Sequence, residues 1–125
     1  MVLQKASAVA FTCDIWKSGR QQYFVSLTAH LFDNHFESFP FVLSLRRFNE
    51  RHLAVNVQSF LNYELDQKFK IPFERRMGIT TDCGSEMVAA TTSGVFGRRY
   101  ACIAHVLNNV VKNGLCLWST PDVNK

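Results

Sequence analysis

The chain is 125 residues long, 47% apolar, with 11 Phe and a net charge of +4. This length and apolar content predict one compact domain with a substantial core and exclude a disordered or low-complexity polypeptide. The positive balance suits a phosphate-bearing partner. The arginine groups Arg46/Arg47/Arg51, Arg75/Arg76 and Arg98/Arg99 read either as solvated strand ends or as contacts to a nucleic-acid backbone.

In chain order, the continuous small-apolar run at residues 8–13 predicts a strand buried on both faces. From Tyr23 to Phe32 the odd positions are Tyr23, Val25, Leu27, Ala29 and Leu31, with Ser26, Thr28 and His30 between them. That period of two predicts a second strand, joined to the first through the Lys-Ser-Gly-Arg-Gln turn. Residues 32–35 predict a turn, and Phe36 to Leu45 its antiparallel return strand, with Pro40 favouring a sheet edge. The period then changes: Leu53, Val57, Phe60, Leu61, Leu65 and Phe69 form the stripe of an amphipathic helix over residues 52–69, ended by Pro72. A strand is expected at 77–81, a short helix at 84–92, and a strand at 98–104. A last helix is expected from His105, with Gly114 as its C-cap and Pro121 beyond.

The order is therefore β-β-β-α-β-α-β-α, an α/β fold with a mixed sheet. The long helix serves as a crossover that returns the fourth strand parallel to and beside the first. This is the RNase H-like arrangement, here expected without its last helix and insertion domain, as a single domain over residues 1–125 with a core at roughly 8–118. An apolar sheet face left open would make the isolated chain poorly soluble.

The first and fourth strands each run into an aspartate, Asp14 and Asp82, 68 positions apart. In the expected topology both fall at matching ends of adjacent central strands, where open α/β sheets collect ligands. Two carboxylates on separate strands are how a sheet builds a divalent-metal site for phosphoryl transfer, a third ligand coming from elsewhere. The plainer readings are an Asp14 ion pair with Lys17 or Arg20 and a helix-capping Asp82. Trp16 lies two residues after Asp14, on the same side of the strand, and reads either as a stacking surface for a nucleotide or as core.

The four cysteines, Cys13, Cys83, Cys102 and Cys116, show no disulfide-scaffold pattern, so a reducing compartment is expected. Cys102 and His105 have a spacing that invites zinc. No second pair with suitable spacing exists, and packed thiols are preferred. No secretory leader and no membrane-length apolar run is read, so no membrane partner is expected.

Five segments resemble the catalytic domain of hAT-superfamily (hobo/Ac/Tam3) transposases and their domesticated, BED-finger-associated relatives. "FTCDIWKS" is similar to the Asp-x-Trp-Thr/Ser opening of that domain, and "YFVSLTAHLFD" to its second strand. "RHLAVNVQSFL" resembles the His-x-x-x-Asn start of its first helix. "GITTDCGSEMVAA" resembles the Thr-x-Asp-x-x-x-Asn-Met segment, and "CIAHVLNNVVKNGL" the Cys-x-x-His-x-Leu segment. The resemblance spans roughly residues 8–118. It implies a nuclear DNA-acting domain in which Asp14 and Asp82 hold Mg²⁺ or Mn²⁺, His105 reaches a phosphate oxygen, and Trp16, Arg98 and Arg99 meet DNA. Glu86 stands where the family has Asn.

The resemblance also implies a late catalytic glutamate, after a helical insertion. After His105 the chain has one acidic residue, Asp122. The expectation is thus the first half of a split catalytic domain, inactive alone, with the BED zinc finger and the homo-oligomerisation region lying outside it. The rival expectation is a domesticated, non-catalytic nuclear DNA- or protein-binding module. A proofreading-type exonuclease fits less well, because that chemistry wants Asp-x-Glu on the first strand and position 16 is Trp.

Overall fold

The computed structural model describes residues 6–48, 53–92 and 94–115. Three strands come first: β1 (Val9–Lys17), β2 (Tyr23–Phe32) and β3 (Ser38–Phe48). Helix α1 (Leu53–Asn62) crosses to β4 (Arg76–Thr81), α2 (Ser85–Thr91) leads to β5 (Arg98–Ala101), and α3 (Ile103–Leu115) follows. The five strands form one mixed sheet in the order β3-β2-β1-β4-β5. The β1–β2 and β2–β3 pairs are antiparallel, while β1–β4 and β4–β5 are parallel. Element order and the β1–β4 adjacency agree with the sequence reading. The expectations for Arg51, His52, Cys116, Trp118, Pro121 and Asp122 lie outside the described residues.

One face of the sheet is the core. Val9, Phe11 and Cys13 of β1 are buried, as are Val25, Leu27, Ala29 and Leu31 of β2. They pack in one cluster with Val57, Phe60 and Leu61 of α1 and with Met87 and Ala90 of α2. Phe60 meets the Phe48 ring edge-on at 5.7 Å. The other face is barely covered, which corrects the expectation that β1 is buried on both sides. There Thr12 is half-buried while Asp14 and Trp16 are exposed. Period two explains the result: with helices packed on one face only, every second residue of β1 is left facing outward.

Several boundaries move for local reasons. Strand β3 begins at Ser38 rather than Phe36, because the Asp33 carboxylate accepts the N–H groups of His35 and Glu37 and holds a turn with Phe36 at φ +62°. Strand β5 ends at Ala101 rather than residue 104, so α3 starts before His105, and it runs through Gly114 rather than stopping there. The expected single helix over 52–69 widens after Asn62 into π turns over Tyr63–Lys68, where the Phe69 N–H reaches back five residues to the Glu64 carbonyl. The wider turn sends neighbouring Glu64 and Leu65 both inward, and Glu64 is 3% exposed. Its Oε2 lies 3.5 Å from Lys68 Nζ but receives no hydrogen bond.

Arg76, at the start of β4, is the buried cation that closes this region. Its Nε and Nη2 donate to the Ile71 carbonyl at 2.9 and 2.8 Å, and Nη1 donates to Val95 at 3.0 Å. Nη2 also pairs with the Asp66 carboxylate. Removing the guanidinium leaves the buried Ile71 carbonyl without its two donors and takes one from the Val95 carbonyl, so Arg76→Met is expected to cost about 2–4 kcal/mol in urea unfolding. Glu64→Gln, which removes a carboxylate with an unsatisfied oxygen, is expected to change stability by less than about 1 kcal/mol in the same assay.

Candidate functional site

Asp14 lies on the outward row of β1, and Asp82 directly follows the neighbouring parallel strand β4. Phe11 pairs with Ile79 and Thr12 with Thr80, an offset of 68 positions that equals the separation of Asp14 from Asp82. Continued two residues past the last pair, this register would set positions 14 and 82 level at the same end of adjacent parallel strands. The register shifts between Val9 and Ala10, where Arg76 and Gly78 are the successive partners and Met77 is the extra residue. Had Met77 paired with Ala10, the offset would have stayed at 67 and Asp82 would stand one residue out of step with Asp14.

Asp14 is exposed and makes no hydrogen bond or ion pair among the described residues, so the pairing with Lys17 or Arg20 does not form. The Lys17 ammonium instead lies 5.5 Å over the Tyr23 ring. Asp82 does part of its plainer job: Oδ1 accepts the Gly84 N–H at 2.9 Å and forms the turn that starts α2. No bond to its second oxygen is seen among the described residues. Two carboxylates offer hard oxygen donors, the type that small divalent cations take. Among the described residues, no group of three His, Cys, Asp or Glu side chains gathers in a metal-holding cluster.

The backbone carrying Asp82 is held from β5. The Arg99 Nε donates to Thr81 Oγ1 at 3.0 Å and its Nη2 donates to the Asp82 carbonyl at 2.7 Å. The buried Thr81 hydroxyl in turn donates to that same carbonyl at 2.9 Å, and the Cys102 N–H donates to the Thr81 carbonyl at 2.8 Å. The sequence paired Arg98 and Arg99 as alike, and the strand separates them, since neighbours point to opposite faces. Arg99 is half-buried and tied to the Asp82 backbone, whereas Arg98 is exposed and lies 5.4 Å over the Tyr100 ring. Tyr100 in turn lies across Gly78, where an added Cβ would come within 2.6 Å of its ring.

Trp16 is 44% exposed and stacks on Phe24 with ring centroids 5.7 Å apart. It is therefore surface, on the same side as Asp14. His105 sits exposed in the first turn of α3 with no hydrogen bond or ion pair among the described residues. The sequence analysis missed what Glu86 does. Its carboxylate accepts the Ala54 N–H at 2.8 Å, so the start of α2 caps the start of α1. A carboxylate at a helix N-terminus satisfies an orphan donor and meets the positive end of the dipole. The acidic side chain of Glu86 thus has a structural use, one that only the helix–helix contact discloses.

Cys13, the neighbour of Asp14 in β1, is buried on the covered face. Burial, followed by the negative charges of Asp14 and then Asp82, pushes its thiol up to about 12. Cys13, Cys83 and Cys102 are free thiols. No helix among the described residues is long and apolar enough to cross a membrane. Compared with protein-family profiles the chain matches none, and it has no significant match among curated proteins.

The Cys13 shift has a testable sign. In the unfolded chain the thiol ionises near its ordinary value of 9.0, so above that pH the unfolded state releases its proton while the folded state keeps it. Unfolding free energy is expected to fall as pH rises from about 9 toward 12, and Cys13→Ala is expected to flatten that slope in urea titrations across the range. At the Asp82 anchor, Arg99→Met leaves the Thr81–Asp82 backbone with fewer donors. It is expected to cost about 1–2 kcal/mol and to speed amide exchange at Asp82 and Cys83 in NMR.

Proposed function

We propose that this chain is part of an RNase H-like catalytic domain of the DNA-transposase type, in which Asp14 and Asp82 together bind a divalent cation against a DNA phosphate. The observation that supports it best is the β1–β4 register, whose offset of 68 equals the spacing of the two aspartates. Asp14 supplies a carboxylate free of competing partners, and Asp82 supplies one whose backbone is clamped by Arg99 and whose Oδ1 is oriented by the Gly84 N–H. Mg²⁺ or Mn²⁺, if held by Asp14 and Asp82, would supply Lewis acidity toward a phosphoryl oxygen or a water. Around it, Trp16 on Phe24 and Arg98 on Tyr100 present exposed ring and guanidinium surfaces, the chemistry that meets bases and phosphates. His105, at the exposed start of α3, is assigned to a DNA phosphate oxygen.

Two carboxylates do not enforce the separation that two-ion chemistry requires. A catalytic site would need a third acidic ligand beside Asp14 and Asp82, and its product would be a cut and rejoined DNA strand in the nucleus. A second reading, a non-catalytic DNA-binding module, rests on the same Trp16–Phe24 and Arg98–Tyr100 surfaces, which bind without a metal.

Manganese relaxation of amide signals separates the two. The 125-residue chain is expected to bind Mn²⁺ weakly, with half-saturation on the order of millimolar, and to broaden residues around Asp14 and Asp82 first. Asp14→Asn and Asp82→Asn are each expected to weaken this several-fold, while Glu74→Gln, an exposed control, leaves it unchanged. No nicking of duplex DNA is expected with Mn²⁺ present. Broadening that ignores both Asn substitutions removes the metal site and leaves the binding-module reading. Cleavage abolished by Asp14→Asn would place the third ligand inside these 125 residues.

A further inference from the structure

Helix α3 carries an apolar half that it does not bury. Around its axis Ile103, Val106, Leu107, Val110, Val111 and Leu115 share one side, while His105, Asn108, Asn109 and Lys112 share the other. The six aliphatic side chains are each at least 40% exposed, and the helix buries none of its residues. A helix of 13 residues is marginal in water on its own, so this apolar side calls for a partner surface.

A surface of matching chemistry lies at the other end of the sheet. Ala6, Leu31, Phe32, Phe39 and Phe41 line an apolar groove of about 540 Å³. Asp33 also lines it, with Oδ1 taken up by the His35 and Glu37 N–H groups. Strand pairing sets Phe39 beside Leu31 and Phe41 beside Ala29. Leu31 and Ala29 belong to the core cluster under α1 and α2, whereas Phe32, Phe39 and Phe41 are 64%, 44% and 40% exposed. Ala6 packs against that cluster too, so the groove continues the core outward. About 150 Å³ takes one benzene-sized group, so a groove of this volume accepts roughly three branched aliphatic side chains.

We propose that this chain forms a twofold dimer in which α3 of each copy lies in the Leu31–Phe32–Phe39–Phe41 groove of the other. Area favours this occupant. Three Phe rings exposed to this extent leave on the order of 300 Å² at the groove. The six half-exposed aliphatic side chains present about 300 Å² on the helix. Reciprocal docking makes the contact twice and buries about 1,200 Å² in total, the lower bound of specific interfaces. Two α3 helices packed on each other would bury only about 600 Å², below what a stable dimer needs. Topology agrees with the exchange. Helix α3 starts at the Asp82 end of the sheet, where the Cys102 N–H meets the Thr81 carbonyl, and the groove lies about 20 Å away along β1. Two copies running in opposite directions bring each α3 start to the other's groove, and the exchange closes the assembly instead of propagating it. The dimer does not depend on the reading of Asp14 and Asp82.

Sedimentation and NMR on the 125-residue chain test the exchange. The wild type is expected to sediment as a concentration-dependent dimer, and Leu107→Asp and Phe39→Asp are each expected to weaken it about thirtyfold or more. Both side chains are half-exposed, so each variant is expected to keep the wild-type urea midpoint of the monomer; Val110→Asp and Phe41→Asp repeat the test from neighbouring positions. An equimolar mixture of Leu107→Asp and Phe39→Asp is expected to regain dimer, because one intact helix meets one intact groove. Isotope-filtered NOEs in a mixture of labelled and unlabelled wild type are expected between the Leu107 methyls and the Phe39 ring. A wild-type chain that stays monomeric up to the order of 1 mM overturns the proposal. A dimer lost with Leu107→Asp and kept with Phe39→Asp would mean that the helices pair with each other, which also overturns it. So would a dimer that neither substitution weakens.

Discussion

The parallel pairing of β1 with β4 is the constraint on which the rest of the molecule depends. Antiparallel hairpins form between neighbours in sequence, but a parallel pair needs a crossover, and here α1 with its π turns supplies it. The pairing is not uniform. Met77 is inserted opposite the Val9–Ala10 step, and from there on Phe11 meets Ile79 on the core face while Thr12 meets Thr80 on the open one. Side chains alternate with period two, so a slip by one residue would turn the whole of β4 over. The bulging of Met77 out of the pairing thus decides both the packing of Ile79 against the helices and the level at which Asp82 stands beside Asp14.

From that end of β4 a chain of hydrogen bonds runs into every neighbouring element. Arg99 of β5 holds the Thr81 hydroxyl and the Asp82 carbonyl. The Asp82 carboxylate sets the turn into α2, and Glu86 in the first turn of α2 caps α1. The residues on either side of the candidate metal site are therefore structural ties, while the Asp14 carboxylate and the second oxygen of Asp82 have no bond among the described residues. A site supported in this way keeps its geometry because its supports are spent on the fold.

Much of this was legible in the amino-acid order. Period two from Tyr23 to Phe32 gives β2 its bounds, and the shift to spacings of three and four gives α1 its core face, since each periodicity reports directly which residues share a side. Element ends were less legible. Phe36 is apolar and follows a turn, yet the Asp33 carboxylate draws it into that turn at positive φ. Gly114 has the composition of a helix stop, and the helix runs through it. Local propensity is weak, and one hydrogen bond or one packed turn outweighs it.

For the site, the sequence determined the chemistry on offer: two aspartates at strand ends, an adjacent tryptophan, clustered arginines. It also determined that a long amphipathic helix separates the two strands, which makes a parallel return the natural topology. Only the tertiary structure decided what each group is free to do. Arg98 and Arg99 are identical neighbours in sequence, and the pleat sends one to solvent and the other into the backbone of Asp82. Glu86 reads as a substitution at a site position, and contact with α1 makes it a cap. Buried Arg76 and exposed Arg46 differ only in which carbonyls and carboxylates folding brings within reach. Partnership is a property of distance in space, and residues remote in sequence acquire it only when the strands pair.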